Sequence, residues 1–304
     1  MNVAVAVSVL ALLMALISDP HAAIAQNSQP TWPDWRTVAA DMVVPEVEDA
    51  EPRAGRRVRY VPEGHSSELA CILWLPHDWD SEKRYPIFVE LPGNGGYRDA
   101  RGDECSGRPE DCRLGFGLTA GTGWIWVCLP FLNASGDAVA LTWWGDAPDY
   151  DPRATLEFWK QTLTEIGQRF QGDRDQVVLA GFSRGAIACN ALGLHDDSTA
   201  ALWTAFLPCS HYDGVRSWPF PGSDRATAAS RFQRLRQRPQ LILGEHNQAR
   251  ETRTFLEAAY PGQLDQIVTE STGFQNHSDQ WALRPCPART LARTWLKQQT
   301  NRPK

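Results

Sequence analysis

An α/β architecture, a mostly parallel sheet with helices on both faces, is what this sequence predicts, and two observations carry it. From about residue 55 onward, short apolar runs alternate with helix-compatible segments, the pattern of strands joined by crossover helices. Within that alternation, residues 176–185 read Gln-Val-Val-Leu-Ala-Gly-Phe-Ser-Arg-Gly. An apolar strand there delivers Ser183 into a Gly-x-Ser-x-Gly turn that opens onto a helical segment, Ala186 to Leu194. Gly181 and Gly185 offer no side chain to clash where strand passes sharply into helix, so Ser183 can be held strained with its hydroxyl presented. Such a turn makes a nucleophile. The competing view, a tight strand-to-helix turn with an incidental serine, loses weight because strand and helix flank it on the correct sides.

Along the chain, Met1 to Ala25 contains an uncharged apolar run from Val3 to Ile17 and ends in Ala23-Ile24-Ala25, a small-x-small cleavage pattern. We read it as a signal peptide, because the run is short for a membrane span and no later segment approaches one. Export would leave 304 − 25 = 279 residues, enough for one large domain. Residues 26–54, rich in Pro, Asp and Glu, read as a poorly packed leader, and 55–304 as the domain. Strands are expected at Leu69–Leu75, Pro86–Leu91, Trp124–Leu129, Gln176–Ala180, Leu202–Leu207, Leu241–Leu243 and Gln266–Val268. Leu156, Trp159, Leu163, Ile166 and Phe170 recur at spacings of three and four, one buried stripe on a helix starting near Asp151-Pro152.

Seven cysteines in an exported chain suggest oxidation of some. Cys105 and Cys112, with six residues between them in a Gly/Asp/Glu/Pro loop, read as one disulfide; no neighbouring His completes a metal set, and no metal is implied. Cys71, Cys128 and Cys189 read as small buried hydrophobes, and the pairing of Cys209 with Cys286 stays open. A net charge of −6 without a basic cluster speaks against nucleic acid and anionic membranes.

With its nucleophile turn and strand alternation, the chain resembles the α/β-hydrolase family of secreted esterases and lipases. That resemblance implies the order nucleophile, acid, histidine, and His277, after the last strand-like run, fits as the general base. It implies an oxyanion hole from the N–H of Arg184 and from the loop Leu91-Pro92-Gly93-Asn94-Gly95-Gly96, with Asn94 favoured and Gly93 next. Where relatives often carry Gly-x-x-Asp, this chain has Gly244-Glu245-His246-Asn247. The acid is therefore open among Asp213, Glu245, Glu251 and Asn247, with Asp213 preferred because it ends the preceding strand and is followed by Gly214. Trp143 and Trp144, in a long connection on the substrate side, are candidate substrate-binding platforms, weighed evenly against packing. The expectation is a secreted or periplasmic serine carboxylic-ester hydrolase without cofactor, acting on small-molecule or polymeric esters such as carbohydrate acyl esters, aryl esters or polyesters. A serine peptidase of the same fold and a catalytically silent binding protein are the alternatives.

Overall fold

The computed structural model describes residues 32–300, so the expected signal peptide lies outside the described residues. An eight-stranded sheet forms from β1 (Arg57–Tyr60), β2 (Cys71–Trp74), β3 (Tyr85–Leu91), β6 (Ile125–Cys128), β7 (Gly172–Phe182), β8 (Ala205–Cys209), β9 (Gln240–Gly244) and β10 (Ile267–Ser271), in the order β1-β2-β6-β3-β7-β8-β9-β10. β2 runs antiparallel to both neighbours, and from β6 to β10 every pairing is parallel. A two-stranded ribbon, β4 (Tyr97–Arg98) with β5 (Glu104–Cys105), stands apart.

Both faces of the sheet are buried, which is why its strands read as continuous apolar runs. On β6 the side chains alternate: Ile125 and Val127 join one core cluster, Trp126 and Cys128 the other. The first cluster receives α2 (Arg153–Arg169) through Leu156, Trp159, Leu163 and Ile166, the stripe predicted from spacing. The second receives α1 (Leu114–Thr119) and α7 (Pro287–Thr300). The remaining helices are α3 (Arg184–Ala191), α4 (Asp197–Ala200), α5 (Arg225–Phe232) and α6 (Gln248–Ala259).

Each expected strand is present. The one at Leu202–Leu207 begins late, at Ala205, because the turn that closes α4 takes up its start, Leu202 N–H donating to the Thr199 carbonyl and Trp203 N–H to the Ala200 carbonyl. Two sequence expectations are corrected. The described part of the leader is fastened to the domain: Trp35 N–H donates to Asn276 Oδ1, Arg289 pairs with Asp41, and Glu48 bridges Val58. Polar and proline-rich composition hid this, since the apolar residues that pack the arm on the second core cluster, Trp35, Val38, Met42, Val44 and Val47, follow no helical or strand period. Cys105 and Cys112 are both unbonded. Their loop is ordered without a clip between them: β4 pairs with β5, Arg184 donates to the Gly107 carbonyl and Arg57 to the Cys112 carbonyl. No helix among the described residues is long and apolar enough to cross a membrane.

Candidate active site

Ser183 sits between β7 and α3 with φ 53° and ψ −111°, a backbone conformation costly for a residue with a side chain. The surroundings hold it there: its N–H donates to the Cys209 carbonyl at 2.9 Å, and its carbonyl accepts from Ala186 and Ile187. The two flanking glycines are required by contact. A Cβ on Gly181 would lie 2.3 Å from the Gly185 carbonyl carbon, and one on Gly185 would lie 2.1 Å from the Leu91 oxygen. β3 pairs with β7 so that Leu91 lies opposite Gly181, and the glycine-rich loop after β3 therefore leaves the sheet beside Ser183.

His277 Nε2 lies 2.9 Å from Ser183 Oγ, and its Nδ1 lies 2.5 Å from Glu245 Oε1. A carboxylate only accepts, so Nδ1 carries the proton and Nε2 is left to accept from the serine hydroxyl. Ser183, Glu245 and the His277 ring are all buried or nearly so. Burial pushes the Glu245 carboxyl up, but the hydrogen bond and charge of His277 outweigh it and hold the group below the ordinary glutamate value. It is thus ionised at neutral pH. The two loops are brought together by backbone bonds: Thr272 N–H donates to the Gly244 carbonyl and His246 N–H to the Phe274 carbonyl.

Asp213 is not the partner of His277. Its carboxylate faces away, taking a two-pronged contact from Arg231, Nε to Oδ2 and Nη2 to Oδ1, both at 2.9 Å. A strand-end carboxylate before glycine suits a site, yet a buried guanidinium in α5, remote in sequence, claims it. Of the other candidates, Asn247 precedes α6 as its N-cap, and Glu251 is exposed beside Arg216. Glu245 follows the last residue of β9 directly; the legible signal was a carboxylate immediately after a strand-ending glycine, where a glutamate's extra methylene reaches the imidazole.

Arg184 opens α3 as its first residue, so its N–H precedes any acceptor within the helix. Its side chain is buried and serves another purpose, donating to the carbonyls of Gly107, Ala140, Thr142 and Trp143 and so drawing two loops over the elbow. Asn94 is half-buried in the loop after β3, and its Oδ1 has no partner among the described residues.

The two tryptophans part company. Trp144 is 2% exposed and packs on Phe131 and Phe220, so it offers no face to a substrate. Trp143 is half-buried and packs at a tilt against Trp218, with ring centres 5.6 Å apart. Trp218 in turn lies 5.3 Å from His211, whose ring lies 5.0 Å from that of His277. Tyr97 and Phe182 flank His277 at 4.8 Å each. Neither His211 nor Trp218 was assigned to the site from sequence, because His211 comes beside His277 only through the parallel pairing of β8, β9 and β10, which brings the residues after these strands to one edge.

The chain has the α/β-hydrolase fold. It superposes on a dipeptidyl aminopeptidase IV-like protein from Bacteroides ovatus ATCC 8483 with a TM-score of 0.50 and 13% identity, over 75% of this chain and 33% of that one. A thermostable esterase aligns with a TM-score of 0.47 and 12% identity, over 75% of this chain and 58% of that one. The chain thus spans a third of the first and less than two thirds of the second, and the likeness concerns the fold. No family model and no curated protein matches the sequence.

Proposed function

We propose that this chain is a serine hydrolase of carboxylic esters, carrying its chemistry on Ser183, His277 and Glu245. The observation behind the proposal is the continuous hydrogen-bonded chain from Ser183 Oγ through both nitrogens of His277 to Glu245 Oε1. In this mechanism the serine oxygen attacks the ester carbonyl while His277 Nε2 takes its proton. The N–H groups of Arg184 and Asn94 receive the developing oxyanion, and His277 then hands its proton to the departing alcohol. Water, deprotonated by the same nitrogen, releases the acid and restores Ser183. Glu245 keeps the Nδ1 proton in place and stabilises the imidazolium.

Substrates with a planar or ring-bearing group, aryl esters and acylated sugars, suit the half-buried rings of Trp143, Trp218 and Tyr97 around His277. The proposal includes export of the mature chain, on the strength of the N-terminal pattern. The test is hydrolysis of a chromogenic aryl ester by the purified chain, followed by a panel of acetylated sugars, polyesters, short lipids and peptides. Ser183→Ala should abolish turnover and labelling by a serine-reactive phosphonate while leaving the circular dichroism spectrum unchanged. Phosphonate attached to another serine, or turnover undiminished in Ser183→Ala, would overturn the assignment.

A further inference from the structure

Behind the loop that follows β3 lies a cavity of about 490 Å³, and Cys112 forms part of its wall. The sulfur of Cys112, that of Cys128 and a carboxylate oxygen of Glu90 all lie within 4.8 Å of one another. Three such groups invite a metal reading, but Glu90 has no capacity for one. Its Oε1 accepts the N–H groups of Arg113 and Leu114, and its Oε2 those of Gly115 and the Trp126 indole. Four donors use the lone pairs of a carboxylate, which leaves two thiols.

Glu90 also explains why the thiols meet. It lies opposite Cys128 in the β3–β6 pairing, binds the indole two residues before Cys128, and binds the N–H groups directly after Cys112. One buried carboxylate therefore anchors both segments and brings the two sulfurs together beside the Arg57 guanidinium.

We infer that Cys112 and Cys128 form a disulfide when the chain folds in an oxidising environment. The inference is independent of the proposed hydrolase activity. The oxidant is a small-molecule disulfide of the glutathione type. A cysteine thiolate attacks one of its sulfurs, forming a mixed disulfide and expelling one small thiolate; the second cysteine, as thiolate, attacks the protein sulfur and expels the other. Two cysteine thiols are thus oxidised and one small disulfide is reduced to two thiols, the protons passing to water and the thiolates. Cys112 is 4% exposed and Cys128 fully buried, and burial holds both thiols in their protonated form. Exchange therefore belongs to folding, before the segments close. The bond would join the helix-leading segment behind the cavity to the strand from which the long connection over the site departs.

The experiment refolds the reduced full-length chain in a glutathione redox buffer, blocks free thiols with iodoacetamide in denaturant, and maps unreduced peptides. A crosslinked pair containing Cys112 and Cys128, with 7 − 2 = 5 alkylated cysteines, is expected. Seven alkylated cysteines, or a bond from Cys112 to Cys105, would refute it. Should refolding fail, chain purified after oxidative expression and unfolded directly in alkylating denaturant gives the same readout. Cys112→Ser, Cys128→Ser and the double variant should then lower the thermal midpoint equally and non-additively, a difference that dithiothreitol abolishes; additive losses insensitive to dithiothreitol would count against the bond.

Discussion

Asp213 and Glu245 are both buried carboxylates near the carboxyl edge of the sheet, and the side chain each one faces separates their roles. Glu245 faces an imidazole, so replacing it with glutamine removes a charge the imidazolium needs. Glu245→Gln should lower kcat by about 10³–10⁴-fold with little effect on stability at neutral pH. Asp213→Asn should do the reverse: it strands Arg231, whose side chain is 11% exposed, and costs about 3–5 kcal/mol in a denaturant titration while kcat holds. A loss of kcat confined to Asp213→Asn would return the acid role to that residue. His211 gives a prediction of a different kind. Burial, reinforced by the charge of His277, presses it from 6.5 down to about 4. Folded His211 stays neutral where the unfolded chain takes a proton, so the stability it contributes is complete above the unfolded value and is lost as pH falls toward the folded one. Between about pH 7.5 and about pH 5 the wild type should therefore lose about 2 kcal/mol more than His211→Gln. Parallel stability curves for the two proteins would count against it.

At the scale of elements, the elbow depends on how closely α3 approaches β3. A Cβ on Gly185 would meet the Leu91 oxygen at 2.1 Å, and backbone cannot swing aside as a side chain can. Gly185→Ala should accordingly push helix from strand and cost about 1–3 kcal/mol in stability. Because the same displacement moves the Arg184 N–H away from the loop after β3, kcat should fall further than stability alone explains. An alanine variant with full activity and an unshifted thermal midpoint would show that the approach is looser. The interior strands were readable because both of their faces are buried, making them runs of apolar residues bounded by polar turns, whereas the edge strand β1, with arginines at 57 and 59, was not expected. The short ribbon β4/β5 was not, since two-residue pairings leave no periodicity to read.

At the scale of the whole molecule, the segment before β1 braces the loop that carries His277. Gln275 N–H donates to the Pro33 carbonyl, and Asn276, 2% exposed, binds Asp34, Asp103 and the Trp35 N–H. The Arg284 guanidinium lies 4.1 Å over the Trp35 ring and donates to the Trp35 and Val38 carbonyls. Deleting residues up to 41 should loosen residues 272–278, lowering kcat well before it unfolds the sheet, with faster amide exchange in that loop as the accompanying sign. Full kcat in the truncated chain would separate the brace from the site.

The sequence by itself determined the class of fold, seven strands of the main sheet, Ser183 in its turn, and His277 as the histidine after the last strand. These are legible because each rests on a local pattern: apolar runs, helical spacing, and glycines where backbone must pass backbone. Tertiary structure alone decided which carboxylate meets His277, which tryptophan is buried, and which cysteine lies near which. Those depend on partners 18 and 32 residues away, Arg231 for Asp213 and Glu245 for His277, and on strand register that brings loops of distant sequence to one edge. A carboxylate's role follows from the charge it is buried against, and that neighbour is chosen by packing rather than by local sequence.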